Sequence, residues 1–182
     1  MKNLNPYFIT GICDGESYFY IRISKNSKYK IGWSVDLSFG ISLHNKDKAL
    51  LEKIELYFGI GSITNKGKDL IQYRVSSINK LETIINHFDK YPLTQKCFDY
   101  QLWKMAFYLV KDKEHLTLEG VQKIVSIKAS MNNGLSDKLK VAFPNIIPVP
   151  RPLVLDLTII DPNWLSGFVS GEACFLLIFR NL

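Results

Sequence analysis

Two stretches near the start of the chain alternate apolar and polar residues, which is the pattern of β-strands with one buried face. The first has apolar residues at the odd positions of the range 19–23, and the second has them from Trp33 to Leu43. Because the two stretches are close in sequence, we expect them to pair as an antiparallel hairpin with an apolar face and a polar face.

A helical spacing of apolar residues follows this hairpin and predicts a helix that covers its apolar face. Asn45 is the candidate N-cap of the helix and Gly59 its candidate terminator. The apolar positions that share one face of this helix are Leu50, Leu51, Ile54, Tyr57 and Phe58.

The pattern then repeats, with a second alternating pair of strands around a turn at Gly67 and a further helix from Ile78. Two longer amphipathic helices are predicted over Thr94–Asp112 and Thr117–Met131. Their interior stripes, which include Lys128, are interpreted as core and not as sites.

A segment near the start of the chain recurs near its end. LNPYFITGICDGESYF, from Leu4, aligns without a gap with IDPNWLSGFVSGEACF, from Ile160, and every matched pair is 156 positions apart. Each copy opens with an acceptor side chain followed by proline, which is a helix start signal. We therefore expect two short helices, and the first of them completes an α-β-β-α-β-β-α order.

Glycines recur four positions apart in both copies, on one face of each predicted helix. These are Gly11 and Gly15 in the first copy and Gly167 and Gly171 in the second. A glycine has no side chain to separate two backbones, so the two faces could pack closely on each other. The sequence thus predicts a motif-helix interface built from these four residues.

Paired helices would bring Glu16 and Glu172 together at their C-terminal ends. The helix dipole is negative there, and two carboxylates repel each other unless a cation lies between them. Hard oxygen ligands without a nearby His or Cys cluster favour Mg²⁺ over zinc. The alternative is that both glutamates are solvated surface residues.

The doubled motif resembles the LAGLIDADG homing endonucleases, specifically the group with both motifs on one chain. The matching cores are ITGICDGES from Ile9 and LSGFVSGEA from Leu165. The resemblance implies an α+β fold in which the two motif helices form the interface between pseudo-symmetric halves. The second motif departs from the pattern with Ser170, where the first has Asp14, a position that is not the catalytic acid of the family.

The resemblance also implies the site residues. Glu16 and Glu172 occupy the catalytic positions, and these two residues, with Gly15 and Gly171, are the expected ligands of a divalent metal ion, Mg²⁺. The antiparallel sheet would form a concave saddle for duplex DNA. Gly40 falls where many relatives carry a polar residue that helps to order water, which predicts a catalytically weaker half-site.

The polar face of the strands has a composition suited to base edges and phosphates, because it is aromatic, uncharged polar and basic, with one acid. A solvated sheet face is the alternative interpretation. The candidate DNA-binding residues on this face are Tyr18, Tyr20, Arg22, Ser24, Asp36, Ser38, Ser42, Gln72, Arg74 and Ser76.

Charge supports a polyanionic partner, since 23 lysines and arginines against 17 acids give the chain a net charge of +6. No apolar run approaches the length of a membrane span, so we expect no membrane association. No targeting signal is visible, and the excess of lysine over arginine is typical of an AT-rich organellar gene; the resemblance implies a mitochondrial, intron-encoded protein. Surface or capping positions without chemistry are expected for the three histidines, His44, His87 and His115.

The expected organisation is a first LAGLIDADG half over residues 1–143, a proline-rich linker over 144–160 and the start of a second half over 161–182. That last segment has room for the motif helix and one strand, at Phe175–Phe179, so the second half is expected to be incomplete. A chain of this extent should cleave DNA poorly, whereas the complete protein is expected to be a monomer.

Three functions remain open at this stage. The first is a metal-dependent, site-specific double-strand DNA endonuclease. The second is an intron-splicing maturase that binds RNA with the same basic surface, and the third is a DNA-binding module without cleavage. The presence of both acids favours the nuclease, because a protein that only binds RNA has no physical need for a carboxylate pair.

Overall fold

A computed structural model describes residues 4–151 and 161–172 of the 182-residue chain. The predicted strand at Phe175–Phe179 and residues 152–160 of the predicted linker lie outside the described residues. The helices are α1 Pro6–Glu16, α2 Lys48–Phe58, α3 Ile78–Lys90, α4 Cys97–Lys111, α5 Leu118–Ala129, α6 Asp137–Ala142 and α7 Pro162–Glu172. The strands are β1 Ser17–Lys25, β2 Trp33–His44, β3 Ser62–Asn65 and β4 Leu70–Val75.

The predicted α-β-β-α-β-β-α order is confirmed over residues 6–90. The four strands form one antiparallel sheet in the order β1-β2-β4-β3. Phe19 lies opposite Phe39 in the first hairpin, so the odd-numbered apolar residues of both strands share one face. None of the helices in residues 4–151 and 161–172 is both long and apolar enough to span a bilayer.

An aromatic cluster fastens the helices to the apolar face of the sheet. The ring of Phe19 lies 5.8 Å from that of Phe88 on α3 and 5.4 Å from that of Trp103 on α4, measured between centroids. Phe39 contacts Phe58 on α2 in an edge-to-face arrangement at 6.4 Å. Rings in such geometries contribute about 0.5–1.5 kcal/mol per pair beyond their burial, so the cluster holds the sheet as a rigid base for the polar face.

The start of α2 differs from the sequence prediction. Asn45 opens a short 3-10 turn instead of capping the helix, and its side-chain amide donates to the Lys68 carbonyl oxygen at 2.6 Å. His44 caps this turn by accepting from the Lys46 N–H, at 3.1 Å. Asn45 therefore ties the turn to the β3–β4 connection, and α2 begins three residues later and ends at Gly59, as predicted.

His87 is not a surface residue, which corrects the prediction for this histidine. Its ring is 6% exposed, with Nε2 3.2 Å from the Thr10 hydroxyl oxygen and Nδ1 3.1 Å from the Tyr57 hydroxyl oxygen. The Thr10 hydroxyl donates to the Tyr91 carbonyl oxygen, so it accepts from Nε2–H and leaves Nδ1 to accept from Tyr57. Position 87 falls on the buried stripe of α3 beside Phe88, and burial lowers its pKa to about 4.

Helices α1 and α7 cross with their backbones in contact. A Cβ atom on Gly11 would overlap the backbone of Trp164 and Phe168, and a Cβ atom on Gly167 would overlap the backbone of Phe8. A side chain at either glycine would therefore separate the two helices. At the starts of these helices, Asn5 accepts from the Tyr7 N–H and Asp161 from the Asn163 N–H, each at 2.8 Å.

Residues 144–151 run along α5 without regular secondary structure. Two backbone carbonyl groups of α5 and its C-cap hold this segment. The Val149 N–H donates to the carbonyl oxygen of Ser126 in α5 at 3.3 Å, and Arg151 Nε donates to the carbonyl oxygen of the C-cap Ser130 at 3.1 Å. This segment of the predicted linker is thus attached to the first half.

His87 makes stability depend on pH with a definite sign. Its pKa in the folded state lies below the ordinary value of about 6.5, so the unfolded chain binds more protons between pH 6.5 and 4. The stabilisation is complete above pH 6.5 and is lost as the pH falls to 4. We expect a loss of about 2–3 kcal/mol between pH 7 and 4.5 from this residue alone. In urea-unfolding measurements at several pH values, His87→Gln should remove this contribution to the change of unfolding free energy with pH, while His44→Gln should retain it. Equal slopes for wild type and His87→Gln would contradict the assignment.

The helix crossing predicts a difference between two glycines of the same helix. Alanine in place of either Gly11 or Gly15 gains about 1 kcal/mol of helix propensity. At Gly11 the new methyl group meets backbone, whereas at Gly15 it meets the flexible side chain of Glu172. We expect Gly11→Ala to be less stable than Gly15→Ala by about 1–3 kcal/mol in chemical denaturation. Equal stability of the two variants would show that the helices are not in backbone contact in solution.

Candidate active site

The crossing of α1 and α7 brings together Glu16, Gly15, Glu172 and Gly171. The Glu172 side chain lies where a Cβ atom of Gly15 would be, and the Glu16 side chain takes the same place against Gly171. Each glutamate therefore packs on the glycine that precedes the other glutamate. The sequence analysis expected the two glutamates to meet if the glycine faces of the two helices pair.

The carboxyl group of Glu16 is affected by its charged neighbours. Burial raises the pKa of the Glu16 carboxyl, the negative charge of Glu172 raises it further, and the Lys96 ammonium opposes both. Within the part of the chain that the structure describes, no group of three or more His, Cys, Asp and Glu side chains is placed to hold a metal ion. The donors at this point are two carboxylates and nearby backbone carbonyl oxygens, an all-oxygen set of the kind that suits Mg²⁺ or Ca²⁺.

Lys96 is a site residue that the sequence analysis missed. Its Nζ atom donates to the Ser17 carbonyl oxygen at 2.6 Å and to the Gly15 carbonyl oxygen, at the very end of α1. Burial lowers the pKa of this ammonium, and the nearby Glu16 and Glu172 are among the groups that oppose the shift. The sequence placed Lys96 inside the helix predicted over Thr94–Asp112, and no local signal marked it, because the contact spans about 80 residues of sequence.

A hydrogen bond joins the two motif helices on the buried side of the crossing. The Trp164 indole N–H of α7 donates to Asp14 Oδ2 of α1 at 2.7 Å. Ser170, which matches Asp14 in the second copy, is exposed and donates to the Ser166 carbonyl oxygen of its own helix at 2.7 Å. At this position α1 therefore has a buried acid, and α7 has an exposed serine.

Nine of the ten candidate DNA-binding residues lie in β1, β2 and β4, and Ser76 follows β4 directly. Their even numbering in these paired strands puts the nine on the face opposite the aromatic cluster. The register brings Tyr20 opposite Ser38 and Ser42 opposite Gln72. The strands therefore assemble one continuous polar face.

These side chains differ in how available they are. Arg22 and Asp36 form an exposed ion pair at 2.9 Å, with 62% and 50% of their side-chain surfaces open to solvent. Ser38 and Gln72 are buried, at 1% and 7% exposure, which counts against direct contact of these two candidates with DNA, and Gln72 donates to the Ser42 hydroxyl at 3.1 Å. Similarly, Ser24 lies 3.0 Å from the hydroxyl of Ser34. The exposed members of the set are Tyr20, Arg22, Asp36, Arg74 and Ser76.

Gly40 is covered by the ring of Tyr18. A Cβ atom on Gly40 would overlap the Tyr18 phenol, and Arg74 pairs with Gly40 from the other side. Burial raises the pKa of the Tyr18 hydroxyl, and Arg74 opposes the shift. The sheet therefore carries a hydroxyl at the point where the sequence analysis noted the lack of a polar side chain.

Lys128 does not belong to the core, which corrects its placement on an interior stripe of α5. Its Nζ atom lies 5.3 Å from the ring centroid of Tyr20, on the polar face of the sheet. Burial of the side chain lowers the pKa of the ammonium. A lysine can bury its aliphatic stem and still deliver its charge to a polar surface, and the apolar spacing of a helix does not distinguish these cases.

The chain is similar in sequence and structure to known endonucleases. The chain is 47% identical over 176 residues to the probable intron-encoded endonuclease 3 of Neurospora crassa, with 94% of this chain and 33% of that protein covered. The solved LAGLIDADG meganuclease I-CpaMI, bound to uncleaved DNA, is 50% identical with a TM-score of 0.89, over 92% of this chain and 58% of that one. I-SmaMI, bound to an uncleaved DNA target in the presence of calcium ions, is 47% identical with a TM-score of 0.94, over 96% and 60%.

The chain thus spans between a third and about three fifths of the length of these relatives. The family profile described as LAGLIDADG endonuclease matches residues 9–107, which run from the first motif through the sheet to α4. That segment contains Glu16, Lys96 and the polar face of the sheet. On this match, and on the fold shared with both meganucleases, the chain belongs to the LAGLIDADG endonuclease family.

Proposed function

We propose that the protein to which this chain belongs is a homing endonuclease, a site-specific enzyme that cuts both strands of duplex DNA. The observation that carries the proposal is the crossed packing of Glu16 and Glu172 on each other's preceding glycine, with the Lys96 ammonium beside them. Two acids and a cation at one point, next to a sheet with a polar and basic face, suit phosphodiester hydrolysis better than binding alone.

In this proposal Glu16 and Glu172 hold a divalent cation, Mg²⁺, with the backbone carbonyl groups of Gly15 and Gly171 as further ligands. The like charge of Glu172 already raises the pKa of Glu16, and a cation between them would remove that repulsion. When bound, the metal would polarise a phosphate oxygen and activate water. A carbonyl oxygen has two lone pairs, so Gly15 can accept from Lys96 and still face a cation.

Lys96 would bind the phosphate through its ammonium group. The bonds to the Gly15 and Ser17 carbonyl oxygens orient the side chain before DNA arrives. A positive charge that is oriented in advance stabilises developing negative charge without a reorganisation cost. Lys96 would thus neutralise the scissile phosphate, while the acids hold the metal.

The polar face would read the DNA. A sheet ribbon fits the major groove, where arginine makes paired hydrogen bonds to guanine. Arg22 and Arg74 project from this face, and the net charge of +6 favours approach to a polyanion. The DNA-bound state of I-CpaMI and I-SmaMI supports duplex DNA as the partner.

We further propose the organisation of the whole protein. Residues 1–143 form the first half, 144–160 the linker and 161–182 the start of a second half whose motif helix is α7. A single chain with both motifs would act as a monomer. The name of the Neurospora crassa relative supports an origin in an intron, which we propose to be that of a mitochondrial gene.

Removal of one acid should separate binding from cleavage. In the complete protein we expect Glu16→Gln to keep DNA affinity within a few fold and to lower the cleavage rate more than about 100-fold, since metal binding is lost while the sheet is unchanged. Gel-shift titration and single-turnover cleavage measure the two effects. Glu52→Gln, an exposed acid on α2, is the matched control. Cleavage by Glu16→Gln at the wild-type rate would exclude the assignment.

The two arginines of the face should contribute to sequence preference. We expect Arg22→Ala or Arg74→Ala to cost about 1–3 kcal/mol of affinity for the cognate site and to relax preference at a few base pairs. Binding to a library of single-substitution targets checks this, with Lys111→Ala on the helical side as a charge-matched control. An equal loss on every sequence would make the residue a phosphate contact.

A further inference from the structure

The carboxylate of Asp14 collects four hydrogen-bond donors although it is 3% exposed. The Thr94 N–H donates at 2.9 Å and the Thr94 hydroxyl at 3.0 Å, both to Oδ2. The Lys96 N–H donates to Oδ1 at 3.0 Å, and Trp164 Nε1 donates to Oδ2 at 2.7 Å. One side chain of α1 thus binds both the loop that leads into α4 and the second motif helix.

The chemistry of this arrangement requires a carboxylate. Every partner is a donor, and only a carboxylate offers two oxygens that accept without donating. An asparagine would turn an NH₂ group toward some of these donors and leave them unpaired, at a cost of about 1–3 kcal/mol for each buried group. Asp14 is therefore chemically specified at this position and is not interchangeable with a neutral residue of the same shape.

The reciprocal hydrogen bond between the two motif helices is absent. Ser170 of α7, which matches Asp14, is exposed, and Phe8 of α1, which matches Trp164, has no side-chain N–H to donate. Two motif helices can therefore pair closely without a second such network on the α7 side. On its other side the network holds the loop that carries Lys96.

Lys96 is held at both ends as a result. Its backbone N–H is fixed on Asp14, and its Nζ atom is fixed on the carbonyl oxygens of Gly15 and Ser17. These three partners are neighbours at the end of α1. A lysine side chain has four rotatable bonds and about 2 kcal/mol of rotamer entropy, so an anchored backbone is what makes one position of the ammonium dominant.

We propose that Asp14 is a positioning residue that holds the Lys96 ammonium beside Glu16 and Glu172 and ties this position to the pairing of α1 with α7. Asp14 is buried and accepts from protein groups, one of which is the Lys96 N–H, so it would act through Lys96. This inference rests on the proposed function, in which Lys96 binds the reacting phosphate.

The first test measures the exposure of the Lys96 amine in the free chain, without DNA or metal. Each lysine is acylated under limiting reagent and its rate is read by peptide mass spectrometry. Thr94→Val is the informative variant, because it removes one donor to Asp14 and leaves every charge in place. We expect Lys96 to react several-fold faster in Thr94→Val and at least about tenfold faster in Asp14→Asn, since local opening becomes less costly. Lys128, a second half-buried lysine, serves as the internal reference.

Thr64→Val, an exposed threonine of β3, is the matched control and should leave Lys96 unchanged. Trp164→Phe removes only the donor from α7 and should also expose Lys96 if helix pairing and lysine position are linked. If Asp14→Asn exposes Lys96 and Lys128 alike, the fold has loosened, and the two charge-neutral variants decide. Unchanged protection of Lys96 in both Thr94→Val and Trp164→Phe would overturn the proposal.

The second test uses the complete protein and separates positioning from mere stability. Asp14→Asn and Thr94→Val should lower the single-turnover cleavage rate while DNA affinity stays within about twofold, because the sheet is untouched. Loss of affinity in proportion to rate would indicate a structural role only and would contradict the proposal. If Lys96→Met cleaves normally, the role proposed for Lys96 in the reaction fails, while the labelling result still decides whether Asp14 positions it.

Discussion

The close crossing of α1 and α7 is the constraint on which the site depends. Gly11 and Gly167 allow the two backbones to touch, and no other residue could stand at either position without separating the helices. The crossing brings Glu16 and Glu172 to one point, where they repel each other. The free energy that holds them there comes from the packing of the helices and not from the acids themselves.

The carboxylates on the two sides of this crossing differ in how well their charge is compensated. On the buried side Asp14 is fully satisfied by four donors. On the open side the two glutamates come together with Lys96 as their nearby cation, and burial and the charge of Glu172 raise the pKa of Glu16. A satisfied buried carboxylate rigidifies its surroundings, whereas an unsatisfied acid pair retains affinity for a cation. The first therefore supports the second, because a rigid scaffold keeps the repelling groups from moving apart.

Much of this arrangement could be predicted from the sequence, and the rest could not for definite reasons. Strand parity, helix caps and the constant offset of the repeat are local or periodic signals, and they placed the sheet, α1, α7 and the glutamate pair. The Lys96 contacts, the buried His87 and the position of Lys128 over Tyr20 depend on which segments meet after about 75–110 residues of chain. No local pattern encodes those meetings. The burial of Ser38 likewise depends on its neighbours in the sheet, since alternation assigns a residue to a face and not to a degree of exposure.

The proposed function requires that Glu16 and Glu172 bind one shared metal ion. The most direct measurement is Mn²⁺ binding to the chain, followed by electron paramagnetic resonance, for the wild type, Glu16→Gln, Glu172→Gln and the double variant. We expect either single substitution to remove most of the Mn²⁺ affinity and the double variant to lose little more. Such non-additivity is expected of two ligands to a common ion. Independent, additive losses, or wild-type affinity in Glu172→Gln, would contradict a site shared between the two motif helices.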